Sequence, residues 1–451
     1  MVLLANMARA GVILAAGMGT RMKSAKPKVM HEVAGLPMLG HVIGAMREAG
    51  VERIVVVTHK DGELVRAFAA KLGAESVIQE PQLGTGHAAT CACELLKNFT
   101  GTVIVAYGDM PLVHAETFKT SFEAQAGTGM SIVGFRPADP GAYGRMILDA
   151  AGLLDRIVEF KDASAEEKAV RLCNAGILAA NAADFFRWAG KLENNNAQKE
   201  YYLTDVPSLA KAEGVRCFVV EADEAEMMGV NSRVELARAE TVMQQRLQAR
   251  ALSNFVGMTA PETVFLSHDT VLEADCLIEP YVVFGPGVTV RSGAHIRAFS
   301  HLEGAEVGSG AIVGPYARLR PGAIVEEDVH IGNFVELKNT RIEKGAKANH
   351  LTYLGDARVG PGANIGCGTI TCNYDGFAKY KTDIGAGAFI GSDTALVAPV
   401  KIGDGVITGA GSVITRDVPD NALAITRAEQ KILPEWAAKF RARKKAEKAK
   451  K

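Results

Sequence analysis

Up to about residue 230 the chain alternates short apolar runs with segments of helical spacing. Val12–Ala16, Ile54–Thr58, Val103–Tyr107, Ser131–Phe135 and Cys217–Val220 are apolar runs of strand length, whereas Met38–Ala49 and Gly86–Leu96 space their apolar residues as helices do. Strands alternating with helices predict a parallel sheet covered by helices. In such sheets polar groups gather where loops leave the carboxyl ends of strands. At residue 232 the pattern changes: Ser232-Arg233-Val234-Glu235 has capping-box spacing, and neither proline nor glycine follows until Gly257. This predicts one long helix from Ser232 to about Asn254. The expected division is therefore a first domain over 1–232, a linker helix over 233–254 and a second domain over 255–451.

The second domain has a six-residue period. Ile278, Phe284, Val290, Ile296 and Leu302 recur in steps of six; after a one-residue slip Val307, Val313, Leu319, Val325, Ile331 and Leu337 do the same, and Ile384, Ile390, Leu396 and Ile402 form a later run. Hexapeptide spacing builds a parallel β-helix, with one apolar side chain per hexad pointing inward and small residues at the corners. The run resembles the left-handed β-helices, which implies three hexads to a triangular turn of about 18 residues. The phase slips between Leu337 and Ile342, between Leu354 and Val359, and between Thr371 and Ile384. Slips are expected to mark loops leaving the prism, and function is expected near them.

Composition narrows the classes. With 48% apolar residues the chain has material for buried cores, which excludes a disordered protein. Fifty Lys and Arg against 51 Asp and Glu exclude a broad nucleic-acid surface. Seven scattered cysteines form neither a disulfide framework nor a zinc pair, and Cys91-x-Cys93 reads as helix packing. The apolar N-terminus is interrupted by Arg9 without a preceding basic region, and no run approaches a membrane span. A reduced, cytoplasmic protein without nucleic-acid or membrane partners is the expectation.

Leu14-Ala15-Ala16-Gly17-Met18-Gly19-Thr20-Arg21 follows the first strand directly, with Lys28 a short way on. Glycines after a strand let backbone N–H groups approach phosphate oxygens, and Arg21 and Lys28 add positive charge. The spacing is neither the dinucleotide fingerprint nor the Walker loop. Asp109 ends the apolar strand at Tyr107-Gly108-Asp109, where a carboxylate suits Mg²⁺ and equally suits a turn cap. The string from Leu14 to Met22 with Lys26-Pro27-Lys28 resembles the sugar-1-phosphate nucleotidyltransferases. That resemblance implies a nucleotide-triphosphate loop of Leu14, Ala15, Gly17, Gly19, Thr20, Arg21 and Lys28. It implies uracil recognition by Gln79 with Gly84 and Thr85 in Gln79-x-x-Gln82-Leu83-Gly84-Thr85-Gly86-His87, His87 being a helix-start residue. It implies Mg²⁺ held by Asp109 and by Asn231 of Gly229-Val230-Asn231, Tyr107 beside them, and sugar contacts from Gly144, Glu159 and Asn174. Asn194-Asn195-Asn196-Ala197-Gln198-Lys199-Glu200-Tyr201-Tyr202 matches a further stretch bordering the sugar.

In the second domain polar strings cluster near the slips: Arg318-Leu319-Arg320, Asn333 to Lys338, Asn349-His350-Leu351-Thr352-Tyr353, Asn364, and Thr371-Cys372-Asn373-Tyr374-Asp375-Gly376. Together with the first domain they resemble the family of bifunctional N-acetylglucosamine-1-phosphate uridylyltransferases and glucosamine-1-phosphate N-acetyltransferases, from Val12 to about Arg427 and in the same domain order. The resemblance implies acetyl transfer from acetyl-CoA to glucosamine 1-phosphate, then uridylyl transfer from UTP to N-acetylglucosamine 1-phosphate. A base is needed for the first step, and imidazole suits it at neutral pH. Of five histidines in this half only His350 lies inside a family string. The resemblance further implies sugar-phosphate contacts from Arg320, Lys338, Tyr353 and Asn364. It assigns acetyl-CoA contacts to Cys367, Asn373, Tyr374, Ser392, Ala410 and Arg427, with Asn373 polarising the thioester or orienting His350. Cys367 departs from the pattern, where alanine is expected.

The resemblance to left-handed β-helix transferases, in which the site lies between neighbouring prisms, implies a homotrimer. The tail Lys439–Lys451 is basic and reads as a solvated flexible end, or as a steering element for anionic coenzyme A. Two other readings compete. A sugar-1-phosphate nucleotidyltransferase with a merely structural or regulatory β-helix is opposed by His350, Lys338 and Asn373-Tyr374; a scaffold with a dead fold is opposed by Arg21, Lys28, Asp109 and Asn231.

Overall fold

A computed structural model describes residues 8–125, 129–196 and 198–449. The first seven residues of the apolar N-terminus, Ala197 of the asparagine-rich string, and the last two lysines of the tail lie outside the described residues. The chain divides into two compact units, Met1–Ala249 and Arg250–Lys451.

The first unit is built on a nine-stranded sheet with helices packed against it. Its path runs Cys217–Glu221, Met130–Phe135, Cys173–Asn181, Thr102–Tyr107, Arg9–Ala15, Arg53–Thr58, Glu75–Ile78. All five strands read from apolar runs are present within a few residues of their expected ends. The sheet is mixed rather than parallel, which corrects the expectation: Cys173–Asn181 runs antiparallel to both of its neighbours, and a hairpin of Arg145–Leu148 and Leu154–Val158 joins it. Gly176 and Asn174 break the apolar run there, so the strand is not legible from pattern alone. The central Arg9–Ala15 strand is parallel to both neighbours and buried on both faces, as its unbroken apolar run requires. Met38–Glu48 forms a helix as expected, whereas Gly86–Leu96 is divided into Thr85–Cys91 and Cys93–Leu96. All seven cysteines are free.

The long helix runs Arg233–Ser253. Ser232 Oγ accepts the Glu235 N–H at 3.2 Å, but the Glu235 carboxylate accepts from the N–H of Asn231 at 2.7 Å. The reciprocal cap thus reaches one residue upstream and fixes the backbone of Asn231.

The second unit is a parallel β-helix. Ile278 pairs with Ile296, Ile296 with Val313 and Val313 with Ile331, so each hexad lies over its counterpart one coil on. The inward residues Ile278, Val290, Ile296, Leu302, Val307 and Val313 are fully buried. His330–Lys338 and Lys347–Gly355 pass round a corner without interruption and connect two of the prism's faces. Of the slips, only the third extrudes a loop, from Asn373 to Lys381, closed by a Tyr374–Lys379 bridge. The other two are five-residue corners within continuous coils, since the strands on either side stay in register. At one corner Tyr281, Phe299, Tyr316 and Phe334 all have φ between 56° and 61°, with rings stacked 4.9–5.3 Å apart. Ring stacking offsets part of the cost of placing bulky residues in the left-handed region. The described part of the basic tail is a helix, Trp436–Ala449, with Trp436 stacked on Phe440 at 5.1 Å. Alanine, lysine, arginine and glutamate are strong helix formers, which the expectation of a flexible end overlooked. Among the described residues no helix is long and apolar enough to cross a membrane.

Candidate active sites

A cleft of about 610 Å³ opens at the carboxyl edge of the first unit's sheet. Thirteen of the sixteen residues implied for the nucleotide and sugar line it: Leu14, Ala15, Gly17, Lys28, Gln79, Gly84, Thr85, Tyr107, Asp109, Gly144, Glu159, Asn174 and Asn231. Gly19, Thr20 and Arg21 do not line it. They form the start of a short 3-10 turn, Thr20–Met22, preceded by Gly19 at φ 60°, and Arg21 is exposed. Tyr143, Gly176 and Glu200, which lie within the strings read as bordering the sugar, also line the cleft, as do Met18, Gln82 and Met227, which were not assigned a role. Gln82 could have been found, because it lies within the Gln79–His87 string; its side-chain amide donates to the Ala16 carbonyl and ties that string to the glycine loop.

Asp109 and Asn231 come from distant parts of the chain and meet because the Val230 N–H donates to the Asp109 carbonyl at 2.9 Å. Lys28 bridges them: Nζ donates to Asp109 Oδ2 and, at 3.0 Å, to Asn231 Oδ1. Two hard oxygens thus already face one cation, which fits an Mg²⁺ pair. Among the described residues no cluster of three or more His, Cys, Asp or Glu side chains could hold a metal. An ion here would draw the rest of its shell from phosphate and water, as Mg²⁺ does.

The rest of the cleft is set by close packing. Gln79 is buried and its amide donates to the Gly84 carbonyl at 2.9 Å, so it holds its own loop. Gly84 has φ 103° and a Cβ there would lie 2.7 Å from the Tyr201 carbonyl oxygen. Tyr107 is half-buried, and desolvation, with Glu159 and Asp109 nearby, pushes its phenol well above the usual range against a hydrogen bond with Thr85. Its ring passes Gly176 so closely that a Cβ on that residue would lie 2.0 Å from Cε2. Burial also pushes the Glu159 carboxyl up; Thr204 Oγ1 donates to it at 3.1 Å, while Asp205 and Asp162 add to the rise. Arg145 is buried and turned away, donating to the carbonyls of Pro140, Gly141, Tyr143 and Lys168. It shapes the loop that presents Gly144.

On the β-helix, Asn333 pairs with His350 one coil on, and Asn333 Oδ1 lies 3.2 Å from His350 Nδ1. His350 is exposed. Lys347 pairs with Asn364, Asn364 with Phe389 and Phe389 with Ile407. Three residues beyond each stand His350, Cys367, Ser392 and Ala410, so these four form one column along a corner. Arg427 Nη1 donates to the Ala410 carbonyl at 2.7 Å and joins its upper end. Tyr353 lies on the adjoining face between Glu336 and Ile370, and Asn364 on the other face.

Arg318 pairs with Glu336 and Lys338 with Gly355, which sets Arg320 and Lys338 on successive coils at the opposite edge of Tyr353's face. Lys379, on the extruded loop and not anticipated from sequence, approaches Lys338. Contact with Lys379, together with Arg320, pulls the Lys338 ammonium below the usual lysine range. Arg320 is paired with Glu336 at 2.8 Å. Three cations so close together suit a phosphate. Asn373 is buried and its amide donates to Asp356 at 2.5 Å, while Asn339 donates to the other oxygen at 2.7 Å. Within this chain the imidazole Nδ1 meets Asn333, whereas the Asn373 amide donates to Asp356. Tyr374 is exposed, its hydroxyl donating to the Gly376 carbonyl at 2.7 Å.

Residues 11–176 match the MobA-like NTP transferase domain, and residues 381–416 match the bacterial transferase hexapeptide model of six repeats. The chain is 50% identical over 443 residues to the bifunctional protein GlmU of Paramagnetospirillum magneticum, covering 98% of each chain. It is 55% identical over 444 residues to that of Hyphomonas neptunium, covering 98% of this chain and 96% of the relative. The GlmU of Acidiphilium cryptum is likewise 55% identical, over 433 residues, with 95% and 98% covered. A cleft suited to a nucleotide and a hexapeptide coil carrying an oriented imidazole, in this order and at this identity over nearly the whole length, place the chain in the bifunctional GlmU family.

Proposed function

We propose that the chain makes UDP-N-acetylglucosamine in two steps, acetylating glucosamine 1-phosphate on the β-helix and then joining the product to UMP from UTP in the cleft. The observation that carries this reading is the presence of both an oriented imidazole and an oxygen pair facing a cation in one chain. With Asn333 Oδ1 as acceptor, Nδ1 of His350 carries the proton and Nε2 is left as a free base. That nitrogen takes a proton as the substrate amine attacks the acetyl-CoA thioester carbonyl, and the coenzyme leaves as thiolate. Arg320 and Lys338, with Lys379, hold the sugar phosphate, and Tyr353 and Asn364 align the sugar. Cys367, Ser392, Ala410 and Arg427 receive the coenzyme along the corner, and Asn373 and Tyr374, at the other edge of the face, contact it from a neighbouring prism. His350 and the phosphate cations lie at opposite edges of one face. A neighbouring prism in a homotrimer would close such a face.

In the cleft a sugar-phosphate oxygen attacks the α-phosphorus of UTP and pyrophosphate leaves. The nucleophile is already anionic, so the protein's work is positioning and charge neutralisation. Asp109 and Asn231 would hold an Mg²⁺ ion, which when bound would supply charge stabilisation on the phosphates. Leu14, Ala15, Gly17, Gly19, Thr20, Arg21 and Lys28 take the triphosphate, Gln79, Gly84 and Thr85 the base, and Tyr107, Gly144, Glu159 and Asn174 the sugar. All substrates are small and water-soluble, which suits a cytoplasmic enzyme.

The test incubates the protein with acetyl-CoA, glucosamine 1-phosphate, UTP and Mg²⁺ and reads thiol and pyrophosphate separately. His350→Ala is expected to abolish thiol release while N-acetylglucosamine 1-phosphate still yields pyrophosphate, and Asp109→Ala to do the reverse. Near-full thiol release from His350→Ala would refute the base assignment.

A further inference from the structure

We propose that Lys28 is the resident counter-cation of the Asp109–Asn231 pair, and that a divalent metal gains the pair only when a nucleotide triphosphate draws the ammonium away. The proposal rests on reading that pair as a metal site.

Both oxygens that would coordinate the metal are hydrogen-bonded to one ammonium, and the Lys28 and Asp109 side chains are each only 14% exposed. An Mg²⁺ ion about 2.1 Å from these oxygens would sit in the space Nζ fills. The two cations therefore compete for the same pair, in a partly buried place where solvent screens them poorly. The Val230 N–H to Asp109 carbonyl bond and the Glu235 cap on Asn231 hold the two backbones together, so the pair stays close. The ammonium can move, being a point charge on a flexible stem.

The base of that stem is seated on the glycine loop. A Cβ on Gly19 would lie 2.7 Å from Lys28 Cβ, so the absence of a side chain there lets Lys28 pack against the loop. A triphosphate received by this loop offers the ammonium several anionic oxygens within a short swing. The same motion frees Asp109 and Asn231. Metal occupancy then follows nucleotide binding, and the cleft avoids holding two unpaired carboxamide and carboxylate oxygens while empty.

Mn²⁺ binding, read by electron paramagnetic resonance on the full chain, tests this without turnover. In the wild type, Mn²⁺ is expected to bind weakly alone and far more tightly with UTP and no sugar phosphate. Lys28→Met keeps the stem and removes the charge; without nucleotide it is expected to bind Mn²⁺ at least tenfold more tightly than the wild type. Lys28→Arg, which keeps the charge, is expected to remain weak. Unchanged or weaker binding by a Lys28→Met protein that melts normally would overturn the proposal. The gain should vanish in Lys28→Met with Asp109→Asn; if it persists there, the ion sits elsewhere and the metal-site reading is what fails.

Discussion

Asn333 and His350 stand on adjacent coils, paired in register, with the amide oxygen 3.2 Å from the imidazole Nδ1. The ring's tautomer and direction follow from this one contact, because the exposed side chain has little packing to hold it.

Asn333→Ala is therefore expected to lower kcat for acetyl transfer about 10–100-fold while changing the KM for acetyl-CoA little, as loss of an orienting partner does. Thiol release measures this, and pyrophosphate release from N-acetylglucosamine 1-phosphate should be unaffected.

Lys338 and Lys379 predict an alkaline dependence. Because Lys379 holds the Lys338 ammonium below the usual range, Lys338 loses its charge earlier as pH rises, and phosphate binding weakens with it. The KM for glucosamine 1-phosphate should climb at a lower pH than an isolated lysine would give. In Lys379→Met the climb should move to higher pH, with KM near neutrality raised about tenfold by loss of one cation.

Glu159 predicts a gain in stability at the expense of activity. Burial raises its carboxyl, so the folded state binds the proton more tightly than the unfolded chain does. Stability associated with this group is present at low pH and lost as pH rises through the raised value. Glu159→Gln should thus melt about 2–4 °C higher near neutrality, with the gap closing in acid, and should release pyrophosphate more slowly.

Gly176→Ala is expected to be destabilising for two reasons. The residue has φ 75°, and a Cβ would meet Cε2 of the half-buried Tyr107 ring at 2.0 Å. A loss of about 2–4 kcal/mol and a raised KM for UTP are expected, measured by urea unfolding and pyrophosphate release.

How much was legible follows from what kind of interaction sets each feature. The hexads of the second half were, because every inward residue meets its copy one coil on and the period survives in sequence. The five apolar strands were legible for the same local reason. Cys173–Asn181 was not, since it is interrupted by Asn174 and Gly176, whose places are set by Gly144 and by the Tyr107 ring. Lys379 escaped notice because a charged residue on an extruded loop carries no period, and only the loop's return brings it to Lys338. The commitment of Asn373 to Asp356 was likewise invisible, as it joins residues that fall together only once the coil has turned.

The corner column has one more implication. Asn333, His350, Cys367, Ser392 and Ala410 repeat at the pitch of a β-ladder, about 4.8 Å per step. A long, thin molecule laid against that edge is gauged in whole rungs, so its reactive end stops beside the imidazole only when its length suits the distance to the far anchor. Shortening or lengthening the prism by one rung between His350 and Arg427 would shift that stopping place by about 4.8 Å.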